Sequence, residues 1–192
     1  MTVRQCGTLL VGSVFIVLAS HGGQARGAHD AAADRDEQRL QYNGTIDDHT
    51  TSNFGSWTVG GVWTLTVKGN SGKADFSAAL TMERSDLWFV MTPNPPADPT
   101  SLSARNAHTH HIALADGLVT ALANGFRVSG PATLTGNGAM PGFGTSSTVQ
   151  LDITGGALVS SSNIALSFGG DAVMHFGANP LSGVVSGLKK ID

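Results

Sequence analysis

The chain is poor in cysteine, in charge and in aromatic side chains. It has a single cysteine, Cys6, in 192 residues. No disulfide can form within the chain. Cys6 also precedes the apolar run of the leader described below, so the mature domain holds no thiolate ligand or thiol nucleophile. Charged residues make up 13%, too few for a coiled coil, whose exposed positions need Glu and Lys in quantity. The formal charge is −3, and the largest basic cluster is the pair Lys189-Lys190. Nucleic acid is therefore not an expected partner. There is also no G-x-S-x-G, H-E-x-x-H, phosphate-binding loop or dinucleotide fingerprint. Without a catalytic signature the reading leans away from an enzyme.

The first 27 residues have the form of a secretory leader. Arg4 is followed by an apolar run from Leu9 to Ala19, shorter than the roughly 20 residues that a membrane-spanning helix needs. The small-x-small triplet Ala25-Arg26-Gly27 then suits a signal peptidase. Cleavage would remove Arg4 and Arg26 and leave nine basic against 14 acidic residues, a net charge of −5. The expectation is a secreted protein, extracellular or periplasmic. It would touch a membrane only if the leader stayed attached. Residues 28–39 read as a polar lead-in, and residues 40–192 as a single all-β domain.

Period-2 alternation dominates that domain. Trp63, Leu65 and Val67 alternate with Thr64, Thr66 and Lys68; after "GNSG", Ala74, Phe76, Ala78, Leu80 and Met82 alternate with polar residues. Successive strand side chains point to opposite faces, so each run has one apolar and one wet face. "GNSG" supplies turn residues, and the pair reads as a β-hairpin. "DLWFVM" (86–91) reads as a strand apolar on both faces, and "TPNPPADP" (92–99) and "GNGAMPGFG" (136–144) as loops. Residues 108–115 and 118–123 flank Asp116-Gly117, which reads as another hairpin turn. Strands are also expected around Val128, Leu151, Leu166 and Met174. About nine or ten strands at hairpin spacing, with no helix, predict an antiparallel β-barrel or β-sandwich, the barrel favoured because the hairpins are consecutive.

Gly55-Ser56-Trp57, opening the first long strand, resembles the G-x-W that begins lipocalin barrels, and Gly61-Val62-Trp63 matches it equally. The resemblance implies a barrel with a ligand cavity. The helix that follows the last lipocalin strands has no counterpart in the sequence pattern.

The densest chemistry is "HTHH", residues 108–111. In a strand, His108 and His110 share a face with Ile112 and Leu114, the buried parity. His111 points the other way. Two imidazoles on one face, about 7 Å apart along the strand, can share one ion. A third ligand would complete a three-ligand site suited to zinc or copper. Candidates for it are His49, in the acidic run "TIDDHTTSN" read as a loop, then His175, with Asp47, Asp48 and Asp116 behind them. His175 has the parity opposite to Met174 and Phe176 and so reads as outward-facing. The other reading of the cluster is a polar strand end. Three functions follow. The first is a non-catalytic secreted β-domain holding a small apolar ligand or serving a structural role. The second is a metal-binding protein or metal-dependent enzyme using His108-x-His110. The third is a surface or adhesion module built on Thr/Ser/Gly-rich strands.

Overall fold

A computed structural model describes residues 39–85, 106–137, 147–155 and 162–191. The leader, most of the lead-in, the "DLWFVM" strand and the Pro-rich loop lie outside these residues, as does most of "GNGAMPGFG". Among the described residues no helix is long and apolar enough to cross a membrane.

The domain is a closed antiparallel barrel. Its strands are β1 (Arg39–Ser52), β2 (Gly55–Lys68), β3 (Lys73–Arg84), β4 (His108–Leu122), β5 (Gly125–Pro131), β6 (Thr133–Gly136), β7 (Thr148–Thr154), β8 (Asn163–Gly169) and β9 (Leu181–Ile191). They lie in the order β3-β2-β1-β9-β8-β7-β5-β4-β6, and pairing of β3 with β4 closes the ring on eight of them. Each ring neighbour is also a chain neighbour, apart from β5 to β7 and the β9–β1 closure. The ring is thus an up-and-down barrel. Closure removes the free sheet edges that a flat sheet would expose.

The ninth strand is the exception. Pro131 lacks an N–H and ends β5. The chain then steps across Ala132 to β6, which pairs with the first half of β4 from His110 to Ala113. The second half of β4 pairs with β5. One long strand thus serves two short partners.

An eight-stranded barrel is just wide enough for side chains to fill its interior. The inward residues do so: Trp57, Trp63, Leu65, Phe76, Leu80, Met82, Ile112, Leu114, Leu151 and Leu166 are all within 2% of full burial. The alternation of β3, exposed at Lys73, Ser77 and Thr81 and buried at Ala74, Phe76, Ala78, Leu80 and Met82, is the one its sequence predicts.

Three local expectations are corrected. Asp116-Gly117 is not a turn, because β4 runs straight through it. Asp116 sits at φ 53, and the register against β3 jumps between Ala74 and Phe76, so the extra residue makes a bulge. The hairpin turn lies further on, at Ala123-Asn124, between paired Leu122 and Gly125. The supposed acidic loop around His49 is regular strand, paired with β2 from end to end. Gly55-Ser56-Trp57 accordingly opens the second strand, not the first. Finally, the segment around Met174 is helical: a 3-10 turn over residues 170–172 leads into the single α-helical turn α1 (Val173–Phe176).

Candidate metal centre

His108 and His110 begin β4 and point inward, 5% and 2% exposed. Their cross-strand partners on β3 are Met82 and Leu80, both fully buried. His111 is exposed on the outer face, as its parity requires.

The third histidine comes from α1. In a helical turn, residues i, i+3 and i+4 share a face, and Ala172, His175 and Phe176 are buried together while Met174 is about half exposed. His175 is therefore inward, 2% exposed, contrary to its strand parity. The turn is fastened to the end of β1. The Thr50 hydroxyl donates to the Phe176 carbonyl at 2.7 Å, and the Asn53 N–H donates to the Met174 carbonyl at 3.3 Å. Gly177 leaves the helix at φ 86, and a Cβ there would sit 2.5 Å from the Thr51 carbonyl oxygen. Only glycine satisfies both conditions. Below, Phe176 stacks on Phe168 with ring centroids 4.0 Å apart.

The three rings meet through one kind of atom. His175 Nε2 lies 3.1 Å from His108 Nε2 and 2.8 Å from His110 Nε2. Every residue of the trio offers a ring nitrogen within 4.8 Å of the others. The tautomer of His108 is fixed: its Nδ1 lies 2.7 Å from the Asn106 carbonyl oxygen, which can only accept, so Nδ1 carries the proton. In the neutral ring Nε2 then bears a lone pair aimed at the cluster. Asn106 adopts φ 50, a conformation that asparagine tolerates better than most residues. It brings this carbonyl back onto the side chain two residues ahead.

His110 owes its seat to β6. It pairs with Gly136, where a Cβ would lie 2.7 Å from His110 Nδ1. Only a residue without a side chain leaves room for the imidazole. The end of β6 is held by reciprocal bonds: the Thr109 N–H donates to Asn137 Oδ1 at 2.7 Å, and the Asn137 N–H donates to the Thr109 carbonyl at 3.1 Å.

Aromatic rings wall the cluster. Trp57 stands edge-on to His108 at 5.3 Å, with its indole N–H turned to Ser52 Oγ at 3.1 Å. Phe176 lies 5.1 Å from His110. In these surroundings a charged imidazole is disfavoured. Burial first, then the neighbouring His175 and His108, hold His110 down at about 3. Burial and then His108 hold His175 at about 4. Both rings are neutral at pH 7, the form that binds metal.

The structure brings His108, His110 and His175 together and leaves His49 out. His49 is exposed on the outer parity of β1, and its backbone N–H donates to Asp48 Oδ1. Asp48 also accepts from the Ser182 N–H at 2.6 Å, Asp47 is exposed, and Asp116 pairs with Lys68 away from the cluster. His175 carries helical signals that strand periodicity hides: Asp171 before the turn, Gly177 just after it and Pro180 beyond.

No protein-family model, curated protein or solved structure matches the chain. The fold and the site therefore rest on their own geometry: an eight-stranded barrel with a buried three-histidine cluster near one end.

Proposed function

We propose that the protein binds one transition-metal ion, zinc or copper, through Nε2 of His108, His110 and His175, and that it does so as an exported β-barrel. The observation that carries this reading is the convergence of three buried imidazoles on one point. His175 Nε2 faces two other Nε2 atoms, and a single nitrogen has one proton or one lone pair, not both. Three imidazole nitrogens turned toward one point is the arrangement in which histidines share a metal ion.

The distances suit that role. With metal–nitrogen bonds of 2.0–2.1 Å, tetrahedral ligand nitrogens stand about 3.3 Å apart. The observed 2.8 and 3.1 Å need to open by only ~0.2–0.5 Å on that scale. His108 also has the backing that metal-bound histidines use, its other ring N–H given to a carbonyl. Three protein ligands leave a fourth position, so Lewis-acid chemistry is open to the site. Binding an apolar ligand in the barrel is the weaker reading, because the interior side chains form one continuous buried cluster. The leader supports export, which would place the site where metal is captured from outside the cytoplasm.

The test is metal analysis of purified protein after loading with Zn(II) or Cu(I) and desalting. The expected result is one ion per chain, lost when all three histidines are replaced by alanine. Retention of the ion by a folded triple variant would overturn the reading, as would its absence from the parent.

A further inference from the structure

The ligand set also says which ion the site prefers. Among the described residues, the cluster contains three histidines and no carboxylate. All three ligands are neutral, so they cancel none of the ion's charge. The cost of burying an ion rises as the square of its charge, so a monovalent ion costs about a quarter as much to desolvate as a divalent one of similar size. The walls are the rings of Trp57 and Phe176, 2% and 0% exposed, and they offer little compensation. Desolvation is thus cheaper for a +1 ion, but three imidazoles also hold Zn(II) tightly, so the choice of ion turns on the fourth donor.

A soft donor stands beside it. Met82 is the direct cross-strand partner of His108, and opposed residues share a face with Cβ atoms about 4.5–5.5 Å apart. It is fully buried and flanked on its other side by Val59, also fully buried. Its side chain has three rotatable bonds and ends in a polarisable thioether. Imidazole with thioether is a donor set that selects Cu(I). The other methionine close by, Met174, precedes His175 but is half exposed on the opposite side of the helical turn.

We propose that the site is selective for Cu(I) and that the Met82 sulfur is its fourth ligand. This rests on the reading that the three histidines hold a metal. Occupation of the fourth position by sulfur makes the bound ion a held cargo rather than an open Lewis acid.

The experiment compares the parent protein with Met82→Leu, Met174→Leu and the triple histidine-to-alanine variant. Each is loaded anaerobically with Cu(I) from a competing chelator and separately with Zn(II). Leucine conserves the volume of Met82, so the fold is expected to survive. The parent should show sulfur in the copper coordination shell by X-ray absorption. Met82→Leu should lose that sulfur and weaken Cu(I) binding about tenfold or more, with Zn(II) affinity nearly unchanged. Met174→Leu should keep both. Copper bound in the parent by nitrogen alone would overturn the Met82 assignment while leaving the histidine site standing. Sulfur that persists in Met82→Leu, or equal weakening of both metals, would overturn it too. A parent that retains neither metal would instead defeat the histidine reading itself.

Discussion

Strand β4 carries or borders both of the non-glycine residues with positive φ that occur among the described residues, and they do opposite work. Asn106, at φ 50, lies just before the strand. Asp116, at φ 53, lies within it. Each is a short polar residue in a conformation that costs most side chains free energy. At Asn106 the carbonyl lies 2.7 Å from His108 Nδ1 and fixes the tautomer of a buried histidine. At Asp116 the backbone bulges toward solvent. Its carboxylate meets Lys68 Nζ at 2.6 Å, its N–H donates to Asp75 Oδ1 at 2.9 Å, and Lys68 also reaches Asp75 at 2.8 Å. The two acids raise the Lys68 pKa, chiefly through hydrogen bonds. Asp116 is 68% exposed, so water screens the trio and its energy is small. The same backbone device serves a screened charge cluster at Asp116 and, at the also exposed Asn106, seats the ring of a buried histidine. The burial of the group each one serves makes the difference.

The largest effect that separates the two regions should come from His175→Ala. On the proposed metal reading it removes one of three ligands and should reduce metal affinity by more than the roughly 10–100-fold that loss of an outer-shell partner costs. Isothermal titration with Zn(II) or Cu(I) would measure it, and affinity within tenfold of the parent would break the comparison.

Acid should come next. The folded-state values of about 3 for His110 and about 4 for His175 lie below the ordinary 6.5. Between those limits the unfolded chain holds protons that the folded chain refuses, so stability falls as pH falls. This contribution is full above about pH 6.5 and is lost on the way down through 4 and then 3, with uptake of up to about two protons on unfolding. Metal competes with the same protons and should delay the loss. Thermal melts of the metal-free protein from pH 7.5 to 4 should show a declining Tm, flattened when His110 and His175 are both replaced by glutamine. A Tm indifferent to pH in the parent would contradict the burial of neutral rings.

Asn106→Val should have a smaller effect. A β-branched side chain opposes positive φ and would pull the carbonyl off His108 Nδ1. Metal affinity should fall about 10–100-fold, and Asn106→Gly, which keeps the backbone path, should restore most of it. Equal losses in the two variants would mean that the asparagine side chain, not the carbonyl, matters.

The smallest effect belongs to the exposed end. Lys68→Ala should leave metal affinity unchanged and move Tm by no more than about 2 °C. A change in metal binding there would mean that the two ends of β4 are coupled.

How much of this was legible in the sequence follows from what kind of period each element obeys. His108 and His110 were readable as a pair, and His111 as outward, because β4 alternates regularly through that stretch and the bulky Ile112 and Leu114 mark the inner face. The barrel was readable for the same reason in β2, β3 and β7. His175 reads as outward-facing on a period-2 template, because one helical turn is too short to show a 3.6 period. His49 reads as a loop residue because Asp47, Asp48 and the Thr/Ser residues around it have loop composition. Unbroken pairing with β2 overrode that local composition. Asp116-Gly117 has turn chemistry, yet the same residues make a bulge when the flanking strand continues. The pairing of Gly136 with His110 had no sequence signal, because β6 has only four residues and its partner is more than twenty positions away.

The most direct test of the account is a crystal of the metal-loaded protein measured at the absorption edge of the bound ion. The account predicts a single anomalous peak, close to equidistant from Nε2 of His108, His110 and His175 and inside the wall formed by Trp57 and Phe176. A peak on the exposed histidines His49 or His111, or no peak in the barrel at full loading, would contradict it.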